Sequence, residues 1–232
     1  MADPGIWPYL LRAKKPSIAS YRLCHAVGSL LDQEPATVFD VGANQGQFAG
    51  AATWRFPNSE IVSFEPVPRT FEILEKNTRG IDRLRLVQSA LGAHKGQLNF
   101  FENTYSHASS ALRINQAMVS LNPETADTKT IVVPVTTLDD FSAVNSWARP
   151  ILLKLDVQGF EKQVLEGGSK FLENTDYLLF ECSYRRLYDG EPLYAAMYEY
   201  VSALGFDLVA PVGFLQDRNH VTVQSDLLWR RR

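Results

Sequence analysis

The feature that most constrains the fold is a series of short apolar runs separated by segments with helical periodicity. Five runs have the length of a β-strand: TVFDV, EIVSFEP, RLRLVQSAL, PILLKLDV and DYLLFECS. The first, fourth and fifth are apolar at nearly every position, which is typical of parallel strands covered on both faces. Helical segments such as RTFEILEKNTRG and FEKQVLEGGSKFLEN lie between them. The pattern predicts an α/β fold with a mostly parallel central sheet and helices on both faces.

The domain limits follow from where this alternation starts and where it is interrupted. Residues 1–35 precede the first strand, and their prolines and apolar spacing predict a helical N-terminal extension. Residues 36–232 are predicted to form one domain. Within it, around residues 97–135, the apolar runs LNFF and TIVVPVTTL flank a polar stretch, which predicts an insertion or hairpin. FDLVAP and DLLWR are the expected closing strands.

Composition and charge disfavour several classes of protein. The formal net charge of −3 provides no broad basic field for a nucleic-acid backbone. No apolar run is long enough to span a bilayer, and the N-terminal stretch lacks the apolar core of a signal peptide. Cys24 and Cys182 fit neither a disulfide framework nor a zinc site. We therefore expect a soluble, cytoplasmic protein that binds no nucleic acid, whose oligomeric state the sequence leaves open.

The stretch TVFDVGANQGQF places a glycine-containing turn between a buried strand and a helix. In α/β sheets this is where nucleotide-like ligands bind, because glycine allows a close approach to the main chain. The spacing Asp40-x-Gly42-x-Asn44-x-Gly46 matches neither the dinucleotide fingerprint G-x-G-x-x-G nor a P-loop. A carboxylate at the strand end would repel a pyrophosphate but can pair with a cation. The stretch therefore predicts a ligand with an amino acid end.

The same motif carries a resemblance to a known family. DVGANQGQF resembles the first motif of class I S-adenosylmethionine-dependent methyltransferases. Together with VTTLDDF and LKLDVQGFEKQVLEGG, it resembles the FkbM family of methyltransferases over about residues 36–185. The resemblance implies a single-domain class I, Rossmann-like methyltransferase fold with S-adenosylmethionine as the methyl donor. Asn44 stands where many class I enzymes have a glycine, and asparagine tolerates the left-handed backbone that such a loop needs.

The resemblance assigns the donor site to the ends of the first three strands. The residues expected to contact the donor from the first loop are Asp40, Gly42, Asn44 and Gly46. Glu65 matches the acid that accepts hydrogen bonds from the ribose hydroxyls, with a solvent-facing carboxylate as the alternative. Ser89 and Ala90 follow the third strand and are expected near the adenine, unless they only form a turn.

Asp156 ends the fourth strand, at the carboxyl edge where open α/β sheets bind ligands. We expect it to contact the donor near the methyl group and to face the acceptor hydroxyl, as both a donor-binding and a catalytic residue. The alternative is that Asp156 caps a helix whose first turn holds Glu161. Lys154 lies in the same apolar strand and needs a partner, for which Asp156 and Glu181 are candidates.

Two schemes for handling the acceptor hydroxyl remain open. In one, Asp156 and Glu181, at neighbouring strand ends, bind a divalent cation such as magnesium, which suits hard carboxylate ligands better than zinc does. In the other, both carboxylates accept hydrogen bonds from the acceptor, and His107 in NTYSHASSAL takes the proton. A loop histidine can also be merely solvated. Ser109 and Ser110 resemble a serine pair of the family that lines the same cavity.

These assignments predict an enzyme that transfers a methyl group from S-adenosylmethionine to a hydroxyl of a small polyol acceptor, such as a sugar or a polyketide ring. The acceptor itself is not readable from the sequence. One alternative is a methyltransferase that acts on RNA or protein, which would need a local basic groove. The other is a non-catalytic protein that binds S-adenosylmethionine.

Overall fold

The computed structural model describes residues 6–232, and the helices and strands below belong to that part of the chain. The strands are β1 (Thr37–Val41), β2 (Glu60–Phe64), β3 (Leu84–Val87), β4 (Ala90–Leu91), β5 (Gly96–Asn103), β6 (Thr128–Thr136), β7 (Ile151–Leu155), β8 (Tyr177–Ser183), β9 (Phe206–Gln216) and β10 (Thr222–Arg231). The α-helices are α1 (Ile6–Arg12), α2 (Ile18–Leu30), α3 (Gln47–Arg55), α4 (Pro68–Thr78), α5 (Gln116–Leu121), α6 (Leu138–Ser142), α7 (Glu161–Glu166), α8 (Ser169–Glu173) and α9 (Tyr194–Ala203). Short 3₁₀ turns cover Ser106–Ala108 and Pro123–Ala126.

The centre of the molecule is a seven-stranded sheet with the order β3-β2-β1-β7-β8-β10-β9. Neighbouring strands are parallel except where β10 pairs antiparallel with β8 and with β9. This arrangement confirms the predicted α/β fold with a mostly parallel sheet. The strand order reverses at β1, which has β2 on one side and β7 on the other. Such a switch point opens a crevice at the carboxyl ends of the strands, where ligands bind in open α/β sheets.

Both faces of the sheet are buried, which explains why the central strands are apolar at consecutive positions. Successive side chains of a strand point to opposite faces. Val38 accordingly packs with Tyr21 of α2 and Phe48 of α3, whereas Phe39 packs with Phe171 of α8 on the other face. The two clusters together form the core, and the apolar pattern of the strands follows from this double cover.

The predicted strand RLRLVQSAL forms two strands in two different sheets. Its first half is β3 at the edge of the central sheet, and its second half is β4 in a small sheet with the order β4-β6-β5. Ser89 stands at the transition, and its hydroxyl donates to the carbonyl oxygens of Ala90 (2.9 Å) and Pro134 (3.1 Å). The switch moves Ala90 away from the sheet edge and toward the crevice. The sequence pattern alone did not distinguish this break from a continuous strand.

The β5–β6 pair and the N-terminal segment lie outside the regular βα alternation. β5 and β6 pair antiparallel, and residues 104–127 connect them. In the N-terminal segment, Tyr9, Tyr21, Cys24 and Val27 are buried against the central sheet. Residues 1–5 lie outside the described residues, so the predicted division into an extension (1–35) and a domain (36–232) stays a prediction. Within residues 6–232, no helix is both long and apolar enough to cross a bilayer.

Two glycines provide a matched test of this packing. At Gly167, between α7 and α8, an added Cβ would lie 2.0 Å from the carbonyl oxygen of Gly92, just after β4. We expect Gly167→Ala to lower the free energy of unfolding by about 1–3 kcal/mol, because backbone must move to relieve the overlap. Gly50, inside α3, has no atom of residues 6–232 within 4 Å of an added Cβ apart from its own helix backbone. Gly50→Ala should therefore raise stability by about 0.5–1 kcal/mol.

Urea unfolding of both variants, compared at equal slope of free energy against denaturant, measures the two changes. Changes of the same sign in Gly167→Ala and Gly50→Ala would contradict this description of the packing.

Candidate active site

The loop after β1 has the backbone that its glycines and asparagine predicted. Gly42, Asn44 and Gly46 have φ angles of 78°, 49° and 89°, all in the left-handed region. At Gly42 a Cβ would lie 1.9 Å from the backbone carbonyl oxygen of Asp156, so only glycine fits where this loop passes the end of β7. The amides of Gly42 and Ala43 both donate to the carbonyl of Phe64. The loop is therefore held by both strands that flank β1.

A buried ion pair lies beneath this loop. Asp40 and Lys154 are register partners on β1 and β7, and Lys154 Nζ lies 2.8 Å from Asp40 Oδ1. The lysine also donates to the carbonyl oxygen of Gly42 at 3.1 Å, and Ser63 Oγ donates to Asp40 Oδ2 at 3.3 Å. Asp40 is fully buried and does not line the cavity at the switch point of the sheet. Its position does not support the predicted direct contact with the donor, because its carboxylate is occupied from below the loop.

Lys154 was expected to pair with Asp156 or Glu181. Its nearest carboxylate is that of Asp40, while Asp156 Oδ2 lies farther away at 3.6 Å. Burial acts to lower the pKa of Lys154, but the two aspartates outweigh it and raise the pKa above its ordinary value. The ammonium therefore stays charged inside the sheet, where it attracts Asp40, Asp156 and the loop carbonyl together.

Gly46 has a packing role in the structure. It precedes α3, and a Cβ there would lie 2.9 Å from Leu74 Cδ1 and 3.1 Å from Thr78 Cγ2, both on α4. Gly46 does not line the cavity at the switch point. The predicted donor contact of Gly46 is thus unsupported by its position, and the close packing of α3 on α4 accounts for the glycine.

Glu65, just after β2, is buried at 6% exposure and lines the cavity. Its Oε2 accepts a hydrogen bond from the amide of Asn44 and its Oε1 accepts one from the amide of Val67, both at 2.9 Å. Burial raises the pKa of this carboxyl to about 7, although the two amide donors and Lys154 act in the opposite direction. The alternative of a solvent-facing acid is wrong. Each oxygen still has a lone pair for a ligand hydroxyl.

A cavity occupies the switch point, and its space of about 620 Å³ includes open solvent at its mouth. The residues predicted for the donor site that line it are Gly42, Asn44, Glu65, Ser89, Ala90 and Asp156. Its apolar end is formed by side chains of the small sheet and its surroundings, Leu91, Leu98, Phe100 and Phe160. One end of the cavity thus offers hydrogen-bond acceptors, and the other end is an apolar slot. We call the whole cavity the donor cavity.

Asp156 and Glu181 are brought together by the ends of β7 and β8, but an amide lies between them. Gln158 Nε2 donates to Asp156 Oδ1 at 2.7 Å and to Glu181 Oε2 at 3.3 Å. Tyr188 OH donates to Gln158 Oε1 at 2.7 Å, which fixes the orientation of the amide. Burial, then the charges of Asp156 and Asp226, raise the pKa of Glu181 well above its ordinary value.

This arrangement corrects the predicted magnesium site at Asp156 and Glu181. The hydrogens of the Gln158 amide point to the two oxygens that a cation would need, and an amide nitrogen is not a ligand for magnesium. Within residues 6–232, no group of three or more His, Cys, Asp or Glu side chains could hold a metal ion. The donor set therefore favours hydrogen bonding to an organic ligand over coordination of a cation.

The alternative that Asp156 caps a helix is also wrong. α7 begins at Glu161, and the residue before it, Phe160, occupies the cap position. Glu161 Oε1 accepts hydrogen bonds from the amides of Val157 (3.1 Å) and Gly159 (3.3 Å), so the glutamate shapes the turn after Asp156. Burial raises the pKa of Glu161 to about 8. Asp156 is left with a side chain 44% exposed, available to a ligand.

His107 lies in a 3₁₀ turn and lines both the donor cavity and a second, more open cavity. Its Nε2 is 3.3 Å from Gln47 Nε2, and Gln47 Oε1 accepts a hydrogen bond from the amide of Gln45. Because this second bond fixes the amide, Gln47 offers a donor and His107 Nε2 acts as the acceptor nitrogen. Loss of hydration lowers the pKa of His107, while the nearby Asp156 works to raise it.

The second cavity, called here the acceptor cavity, lies on the other side of Asp156 and His107. Its space amounts to about 1300 Å³, including open solvent at its mouth. Three carboxylates line it: Asp156 just after β7, Glu181 within β8 and Asp226 within β10. Burial, then repulsion by Asp156, raises the pKa of Asp226 to about 6. Arg22 of α2 lines the same cavity from the N-terminal segment.

The two predicted serines have different positions. Ser109 lines the donor cavity, and its Oγ accepts a hydrogen bond from the amide of Asn103. Ser110 is buried and donates to the carbonyl oxygen of Gln158 at 2.7 Å, which supports the turn after β7.

Sequence reasoning missed Gln47, Gln158 and Asp226 as site residues. Only Asp226 carried a signal, as an acid in a strand that otherwise reads as apolar.

The buried ion pair gives a stability prediction. Lys154→Met should lower the free energy of unfolding by about 3–5 kcal/mol, because it leaves the Asp40 carboxylate buried without its cation. The double variant Asp40→Asn/Lys154→Met should cost less than Lys154→Met alone. The exposed pair of Arg230 and Asp32 is the matched control, and Arg230→Ala should cost at most about 1 kcal/mol. Denaturant unfolding measures all three, and equal losses in Lys154→Met and Arg230→Ala would contradict the assignment.

Comparison with known proteins agrees with this architecture. A relative from Sinorhizobium fredii (strain NBRC 101917 / NGR234), 2-O-methyltransferase NoeI, is 27% identical over 203 residues, which are 85% of this chain and 82% of the relative. Methyltransferase 1 of Beauveria bassiana (strain ARSEF 2860) is 27% identical over 159 residues, 62% of each chain. The structure of a candidate RNA methyltransferase from Pyrococcus horikoshii superposes with a TM-score of 0.50 at 10% identity, covering 97% of this chain and 89% of that one.

The structural match concerns the fold alone, and it confirms the predicted class I architecture. The family assignment comes from a model of the methyltransferase FkbM domain, which matches residues 40–208. That range includes every residue that lines the donor cavity. The chain therefore belongs to the FkbM family of methyltransferases.

Proposed function

We propose that the protein transfers a methyl group from S-adenosylmethionine to a hydroxyl of a small polyol acceptor, such as a sugar. Membership in the family makes the protein an S-adenosylmethionine-dependent methyltransferase. The observation that supports the rest is the shared border of the two cavities, since Asp156 and His107 line both. A donor in one cavity and an acceptor in the other would meet at these two side chains.

The residues of the donor cavity fit S-adenosylmethionine. Glu65 has lone pairs for the two ribose hydroxyls, and the apolar end between Leu98, Phe100 and Phe160 has the character that an adenine ring requires. Gly42 brings main chain to the cavity without a side chain. When bound, S-adenosylmethionine supplies an electrophilic methyl group on a sulfonium. The chain's task is then to orient the two reactants, which is a large part of catalysis for such a displacement.

The acceptor cavity favours a ligand rich in hydroxyl groups. The carboxylates of Asp156, Glu181 and Asp226 accept hydrogen bonds but would repel the phosphates of a nucleic acid. This lining supports a sugar or another polyol over RNA, and the name of the 2-O-methyltransferase relative supports O-methylation.

We retain the cytoplasmic location expected from the sequence as part of the proposal; both cysteines, Cys24 and Cys182, are free and buried.

His107 is the proposed base that takes the proton of the acceptor hydroxyl. Its Nε2 already accepts a hydrogen bond from Gln47, so an acceptor hydroxyl can replace that donor. A lowered pKa keeps the ring neutral near pH 7, which a base requires. Asp156 holds the acceptor hydroxyl or stabilises the protonated ring. Magnesium is not part of this scheme, because Gln158 occupies the position between the carboxylates.

The acceptor class can be tested without knowing the acceptor. The protein is incubated with S-adenosylmethionine labelled in its methyl group and, separately, with small-molecule, RNA and protein fractions of a cell extract. We expect label in the small-molecule fraction, in a form that survives alkali as an ether and yields a methylated sugar on hydrolysis. Label in RNA or in protein would overturn the proposal, and donor binding without any transfer would favour a non-catalytic role.

Donor affinity should depend on pH through Glu65. Hydroxyl donors of the ligand stabilise the ionised carboxylate, whose pKa in the free protein is about 7. Affinity should therefore be full above this pKa and fall by up to about tenfold per pH unit below it. Calorimetric titration with the demethylated donor between about pH 6 and pH 8 measures this dependence.

Glu65→Gln is the test variant for this pH dependence. It should weaken binding by about 1–3 kcal/mol and remove the pH dependence, because the amide accepts fewer hydrogen bonds and does not titrate. Glu60→Gln, at the exposed start of β2, the strand that Glu65 follows, should bind like the wild type. A Glu65→Gln protein with wild-type affinity and an unchanged pH profile would remove Glu65 from the donor site.

The catalytic assignment predicts separate effects on binding and turnover. His107→Ala should lower turnover of the labelled acceptor by about 10²–10⁴-fold, with donor affinity and melting temperature near those of the wild type. Asp156→Asn should also keep donor binding while it depresses turnover, because the amide keeps the shape but loses the charge. His94→Ala, in the exposed turn before β5, is the control and should be unaffected. Wild-type turnover in His107→Ala would exclude it as the base.

A further inference from the structure

The short helix α1 has two apolar sides, and within residues 6–232 one of them packs on the rest of the structure. Ile6, Tyr9, Leu10 and Ala13 pack in the core cluster on one face of the sheet. Trp7 and Leu11, one helical turn apart on the outer side, are 62% and 85% exposed. A tryptophan and a leucine thus form an apolar spot on one helical turn that has no cover among residues 6–232.

Two more apolar side chains are exposed on α2 and β9, which pack in the same cluster as α1. The amide of Ser17 donates to Tyr9 OH at 2.9 Å, so α1 lies against the start of α2, where Ile18 is 48% exposed. The start of α2 and the strand β9 both line the mouth of the acceptor cavity, and Phe214 of β9 is 68% exposed there. These side chains and the bases described next form a surface that we call the N-terminal patch.

The charge of this region differs from that of the whole chain. Residues 6–31 contain four basic residues, Arg12, Lys14, Lys15 and Arg22, and no acidic residue, although the chain has a net charge of −3. All four are exposed. Exposed tryptophan and leucine in a segment whose charged residues are Lys and Arg match the apolar and charged layers of an anionic lipid surface.

We propose that the N-terminal patch docks on the surface of an anionic lipid bilayer, with Trp7 and Leu11 at the boundary between headgroups and acyl chains. The bases would then face the lipid phosphates. A second copy of the chain fits less well, because a two-fold interface on this patch would bring like charges together. Since Arg22 and Phe214 border the acceptor cavity, docking would place the mouth of that cavity at the membrane surface.

Vesicle sedimentation tests this proposal independently of any enzymatic activity. The probes are vesicles of equimolar phosphatidylglycerol and phosphatidylcholine, and vesicles of phosphatidylcholine alone. We expect the full chain to bind the anionic vesicles, to bind the neutral ones much more weakly, and to dissociate as salt is raised, because screening weakens charge attraction. No binding to the anionic vesicles, or equal binding to both, would overturn the proposal.

Two pairs of substitutions separate the apolar and the charged contributions. Trp7→Ser/Leu11→Ser should reduce binding to anionic vesicles at least about tenfold, since both side chains lose their apolar contact. Arg12→Glu/Lys15→Glu should reduce it by about fivefold or more per charge. Lys95→Glu and Val144→Ser, both exposed outside the patch, are the matched controls and should bind like the wild type.

Two further measurements distinguish a lost lipid contact from misfolding and from self-association. Melting temperature and affinity for the demethylated donor should be unchanged in all variants, because the replaced side chains are exposed and lie outside the donor cavity. Light scattering reports the oligomeric state. A dimer that dissociates on Trp7→Ser/Leu11→Ser would identify the patch as an interface between copies and would overturn the lipid assignment.

Discussion

The ion pair between Asp40 and Lys154 is the interaction on which both cavities depend. It joins β1 to β7 at the switch point of the sheet, and the lysine also binds the carbonyl of Gly42. Removal of the lysine would leave the Asp40 carboxylate inside the sheet without its cation, which is more costly than the pair itself. The ion pair therefore lies beneath the glycine loop and is hydrogen-bonded to its backbone. The same lysine also lies 3.6 Å from Asp156, which lines both cavities.

The site concentrates acidic groups whose ionisation works against folding. Burial raises the pKa of Glu65 to about 7, of Glu161 to about 8 and of Asp226 to about 6. A core built only for stability would not place these carboxyls at one edge of the sheet. Backbone amides donate hydrogen bonds to Glu65 and Glu161. The Asp226 carboxylate forms no hydrogen bond or ion pair with another residue within 6–232. Of these three carboxylates, that of Asp226 is thus the one without a hydrogen-bond donor among the described residues.

The sequence was informative wherever the signal is local. Consecutive apolar residues predicted the buried parallel strands, and the glycine spacing predicted the left-handed turns at Gly42 and Gly46. The placement of Glu65 after β2 followed from the motif. By contrast, Gln47 and Gln158 owe their roles to hydrogen bonds with residues distant along the chain, which no periodicity records. The Asp40–Lys154 pair lies between these cases, because it requires the register of two strands separated by more than a hundred residues.

The range matched by the family model covers the two cavities to different extents. All residues of the donor cavity lie within the range 40–208 that the family model matches. The acceptor cavity instead takes Arg22 from α2, Phe214 from β9 and Asp226 from β10, all outside that range. A shared donor needs a shared site, whereas acceptors differ among methyltransferases. We therefore propose that Arg22, Phe214 and Asp226 contribute to the choice of acceptor beside Asp156 and Glu181, which lie within the matched range.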